Sequence, residues 1–129
     1  MQSPGHREHP QHHVDEHHVR GRLRAQLGAD VLAESDDVIE VDEDGNPPRY
    51  YFPREDVRMD RMSASPTRTY CPFKGEASYF SLELGDGRLP DAAWTLASPY
   101  DEHADLKDRV AFYSEKFDGL QFRRDQGAV

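Results

Sequence analysis

The sequence predicts a mainly β domain: small, curled antiparallel sheets with one short helix. Three observations lead there. Six or seven short runs alternate apolar and polar residues or cluster aromatic and β-branched ones, and glycine or proline interrupts them. Strands and helices do not alternate in the manner of a parallel α/β sheet. One main helix is expected, at the stretch opening Ser98-Pro99-Tyr100-Asp101, with a capping serine and proline at the first helical position.

Residues 1–16 are polar and hold His6, His9, His12 and His13. They read as a disordered, histidine-rich leader. Such a tract binds transition metals weakly but fixes no three-ligand shell, so no metal site is assigned. The folded domain is expected over residues 17–124, with a frayed tail at 125–129. Residues 19–27 alternate cleanly, with Val19, Gly21, Leu23, Ala25 and Leu27 on one face and Arg20, Arg22 and Arg24 opposite. A turn at 28–30 returns the chain through Val31–Glu34, and Asp37–Val41 is a third strand. The acidic, proline-ended stretch 42–48 stops it.

Tyr50-Tyr51-Phe52 lies between prolines. A strand there presents rings to both sides, leaving at least one outside the main core. Residues 54–60 read as a charged rim loop and 63–67 as a loop. Ala77–Leu84 alternates as a strand, Gly85-Asp86-Gly87-Arg88 is a hairpin turn, and the chain pairs back through Trp94. A short helix to about residue 108 precedes a strand at 110–113, although Leu106, Val110, Tyr113 and Phe117 also repeat helically.

The chain has 129 residues, the size of one domain. With 25 acidic against 16 basic residues its formal charge is -9, which disfavours binding to a phosphate backbone, so no nucleic-acid partner is expected. No run approaches a membrane span. The start lacks the apolar core of a secretory signal and there is a single cysteine, so the expected location is cytoplasmic. A homodimer suits so small a sheet domain, but nothing in the sequence specifies one.

Chemistry concentrates at residues 69–79, TYCPFKGEASY. Cys71 and Lys74 flank Pro72, and Gly75 ends the turn. A thiol beside an ammonium is the setting that favours thiolate, and His103 is the candidate base for a nucleophilic Cys71. Tyr70 and Lys74 have the alternative of hydrogen-bonding a carbonyl or phosphate. The glycine-rich nucleotide fingerprints, the GxSxG elbow and HExxH are absent.

Residues 47–60, PPRYYFPREDVRMD, and 69–79 together resemble the two hallmark motifs of the domain-of-unknown-function 427 family. The likeness continues through Ala92-Ala93-Trp94, Pro99-Tyr100 and residues 110–113. The resemblance implies a tent-like or small-barrel β domain, Mss4-like in outline, without that architecture's zinc cysteines. Family members are sometimes labelled nucleotidyltransferase-like. The chain departs from the family pattern at Gly28, where paired glycines are common, and at Ser114, where tryptophan is common.

The expected function is binding of a small polar or anionic molecule at the 69–75 turn. Tyr50, Phe52, Trp94 and Tyr100 would form the walls, and Arg54, Arg58, Tyr70 and Lys74 the polar contacts. The alternatives are an enzyme using Cys71 and Lys74, by thiol or phosphate chemistry, and an interaction module. No cofactor is specified. The binding reading requires these side chains to converge on one concavity.

Overall fold

The computed structural model describes residues 1–85, 87–117 and 119–124. The expected tail at 125–129 and the hairpin residue Asp86 lie outside them. Ten strands occur among the described residues: β1 (Val14–His18), β2 (Leu23–Leu27), β3 (Asp30–Ser35), β4 (Ile39–Glu43), β5 (Arg49–Phe52), β6 (Met62–Cys71), β7 (Gly75–Leu84), β8 (Gly87–Thr95), β9 (Val110–Phe112) and β10 (Leu120–Arg124). One short α-helix, α1, covers Pro4–Glu8. No helix among the described residues is long and apolar enough to cross a membrane.

The strands form a seven-stranded sheet in the order β1-β4-β5-β9-β8-β7-β6 and a separate three-stranded sheet, β10-β2-β3. All the strand pairs are antiparallel. The mainly β architecture therefore holds, but the curled tent or barrel does not, and the one short α-helix lies in the leader rather than after Ser98. Closure needs the edge strands to pair, and β1 and β6 stand at opposite ends of an open sheet. Each edge is blunted: β1 carries Asp15, Glu16, His17 and His18, and β6 contains Pro66 at a break in its register with β7.

The large sheet is covered on both faces because its strands alternate between two apolar sets. On one face Phe52, Leu82, Ala93 and Phe112 pack with Leu23, Ala25 and Leu32 of the small sheet. On the other, Ile39, Val41, Tyr51, Trp94 and Ala111 pack with Phe73 and Leu106. Strand β5 serves both: Tyr51 and Phe52 are each 0% exposed in different clusters. Tyr50 joins Phe52 on the first face, against Phe122 at 4.8 Å between ring centroids.

Four local expectations are corrected. The leader carries α1 and the start of β1, because Ser3 caps the helix and the segment docks on residues 72–73. The strand expected from Val19 begins at Leu23, since Gly21 has a φ of 79°. Residues 62–71, read partly as loop, pair along β7 as a polar edge strand whose weak hydrophobic alternation hid it. The expected helix is a 3₁₀ segment, Asp101–Leu106, broken by non-helical dihedrals at His103. The charged loop at 54–60 contains two further 3₁₀ turns.

Phe52→Ala removes a ring shared between the two sheets. It is expected to lower stability by about 3–5 kcal/mol, read as a reduced urea midpoint with an unchanged slope.

Candidate functional site

The turn joining β6 to β7 is only Pro72, Phe73 and Lys74, since Cys71 already pairs with Gly75 across the hairpin. Gly75 has a φ of 112°, and a Cβ there would stand 3.3 Å from the Ser98 carbonyl oxygen. The positive φ favours glycine, and the close carbonyl makes any larger residue tighter still. The turn is held against the 98–100 segment, where the Tyr100 amide donates to the Lys74 carbonyl at 3.1 Å.

Cys71 and Lys74 line a concavity of about 180 Å³ on the sheet face away from the small sheet. Trp94, Tyr79 and Tyr113 supply aromatic walls, and Arg49, Glu43 and Thr69 the other polar groups. Tyr79 and Tyr113 stack at 6.3 Å with their rings 9° from parallel. Trp94 lies 4.3 Å from Tyr113, and the Arg49 guanidinium sits 5.1 Å from the Tyr113 centroid. The Trp94 indole donates to the buried Tyr51 hydroxyl at 3.0 Å. Thr69 and Tyr113 both bond the Tyr79 hydroxyl, at 3.0 and 3.2 Å. Desolvation and the adjacent Tyr79 hydroxyl push the Tyr113 hydroxyl well above the usual tyrosine pKa, against the opposing pull of Arg49, so it remains neutral.

Both cations already have a carboxylate partner. Arg49 bonds Glu115 at 2.7 Å. Lys74, with 12% of its side chain exposed, bonds Glu43 at 2.9 Å. Burial pulls the Lys74 ammonium down, but the Tyr51 hydroxyl and the bond and charge of Glu43 outweigh it and leave the pKa raised. Burial likewise pushes Glu43 up, yet bonds from His12 and Lys74 hold it below the usual carboxylate range. The pair is therefore ionised at neutral pH.

Of the eight side chains expected to line a pocket, only Lys74 and Trp94 do, joined by Cys71 from the alternative catalytic set, so the expected convergence of all eight is not met and the site has a different lining. Tyr50 and Phe52 do not: strand alternation sends them to the opposite face. Arg54 donates to Thr95 Oγ1 at 3.0 Å and to the Asp108 carbonyl at 3.1 Å, and lines a second, separate concavity with Lys107 and Arg109. Arg58 makes two bonds to Asp60. Tyr70, 59% exposed, meets Tyr100 through a hydroxyl–hydroxyl contact of 2.6 Å, and neither lines the concavity. His103 is 2% exposed, with one ring nitrogen on Glu16 and the other 2.9 Å from His6. Both nitrogens are occupied, which removes it as a free base for Cys71.

The residues the sequence reading missed were Glu43, Arg49, Thr69, Tyr79 and Tyr113. Alternation held the signal for some of them. Thr69 is two residues from Cys71, and Arg49 two from Tyr51, so each shares its neighbour's face. Among the described residues one trio has the donor spacing of a metal site, His17, Glu40 and Asp42. The two His17 nitrogens face different carboxylates, at 3.4 and 3.5 Å, which describes a cross-strand charge cluster.

The sequence pattern of a family described as Domain of unknown function (DUF427) matches residues 15–122. No curated protein matches the chain.

Glu43→Gln is expected to cost about 2 kcal/mol at neutral pH, because two charge-assisted bonds lose their anion. Glu43 has a depressed folded pKa, so its contribution is complete above the ordinary value of 4.5 and is lost as pH falls through the folded pKa. Urea titrations of both proteins should therefore converge as pH falls below 4.5 and through the depressed folded pKa.

Proposed function

The chain belongs to the DUF427 family, and we propose that it binds a small polar or anionic molecule in the concavity beside the 71–74 turn. One observation carries this reading: a thiol, two cations and three aromatic rings from distant parts of the chain line one hollow. Rings on the walls and a few placed polar groups are the composition of a small-molecule site. A volume of about 180 Å³ limits the buried part of the ligand to roughly one ring or a few heavy atoms. Lys74 and Arg49 suit a carbonyl, carboxylate, sulfonate or phosphate oxygen, and Trp94 and Tyr113 suit a flat apolar body.

The chain carries its own reporters. Trp94 is the single tryptophan and Cys71 the single cysteine, and both line the site. Benzenesulfonate and phenyl phosphate are the probes. Either should change Trp94 emission and slow alkylation of Cys71 by iodoacetamide, and Lys74→Met should weaken both effects by about tenfold or more. Unchanged emission and unprotected thiol at millimolar probe would remove the case for this pocket.

A further inference from the structure

The Glu43 carboxylate is shared between the pocket and the N-terminal segment. Its Oε1 accepts from Lys74 at 2.9 Å, and its Oε2 lies 2.9 Å from His12 Nε2. His12 does not line the concavity. Its ring stacks on Phe73, the residue before Lys74, at 4.5 Å with the planes 27° apart. The segment bearing it is closely docked. The Gly5 amide donates to the Pro72 carbonyl at 2.8 Å, and a Cβ at Gly5 would stand 2.8 Å from the Phe73 ring.

We propose that anion binding at Lys74 is coupled to proton uptake by His12 through Glu43. The proposal rests on the anion-binding reading of the pocket. With His12 neutral, Glu43 and Lys74 cancel, and an incoming anion leaves the cluster one negative charge in excess. Protonating His12 restores neutrality and turns its contact with Glu43 into an ion pair. The carboxylate is then less committed to Lys74, whose charge is freer to meet the ligand. By reciprocity, whatever the anion does for the proton, the proton does for the anion.

Around His12 the carboxylates favour protonation and one lysine opposes it. From β4 it faces Glu43, with Asp44 alongside. From the turn it faces the uncharged Phe73, with Lys74 behind Glu43. Its chain neighbour His13 is occupied by Asp44 at 3.1 Å. The cation that opposes protonation is Lys74, and a bound anion offsets it.

Titration calorimetry of the full chain with benzenesulfonate, whose charge is constant over the range, tests this. Affinity should rise about threefold to tenfold from about pH 8 to about pH 6, with proton uptake visible in buffers of different ionisation enthalpy. His12→Gln should bind with the weaker, alkaline affinity at both pH values, while His13→Gln should keep the full pH response. Equal affinity at both pH values, or an unchanged response in His12→Gln, would overturn the coupling and leave the pocket intact. No Lys74-dependent binding at either pH would overturn the pocket reading itself, and the coupling with it.

Discussion

Burial of the central strands of the seven-stranded sheet on both faces is the constraint from which the rest of the structure follows. A sheet with one wet face needs apolar residues at every second position only. Here β5 places Tyr51 in one core and Phe52 in the other, both 0% exposed. One face is covered by the small sheet, through Leu23, Ala25 and Leu32. Among the described residues no second sheet covers the other face. It is covered piecemeal by Phe73 from a hairpin turn, Leu106 from a 3₁₀ segment and the N-terminal segment. A cover assembled from pieces leaves a gap, and the concavity beside Lys74 is that gap.

The turn at 72–74 works in two directions. Phe73 points to the N-terminal segment, where His6 meets it edge-on and His12 stacks on it. Lys74 and the preceding Cys71 point into the hollow. Glycine is favoured on both sides, at Gly5 by close approach and at Gly75 by conformation. A short turn with this packing holds its lysine in place, and the fixed ammonium fixes Glu43 in return.

Much of the fold was legible locally. Strand β7, with its strong alternation, declared itself, as did the reversal at Gly28 and the return through β3, while the stop expected at residues 42–48 begins two residues late because β4 runs to Glu43. Strand β6 did not, because Ser63, Ser65, Thr67 and Thr69 give an edge strand little apolar contrast. The leader misled for a related reason. Its histidines look solvent-seeking by composition, yet His6 and His12 find Phe73, His103 and Glu43 as partners. Composition measures what a residue prefers on average and cannot count partners that arrive from another strand.

The sequence by itself determined a β-rich chain, its family, and a turn bearing one thiol and one amine, because spacing, turn residues and motifs are local properties. Tertiary structure alone decided that the large sheet stays open, that Tyr50 and Phe52 turn away from the site, and that Arg49, Tyr79 and Tyr113 turn toward it. It also decided that His103 is sealed between Glu16 and His6. The physical reason is that a strand's alternation says which side chains share a face, while the packing of other elements decides which face is covered and which keeps a hollow.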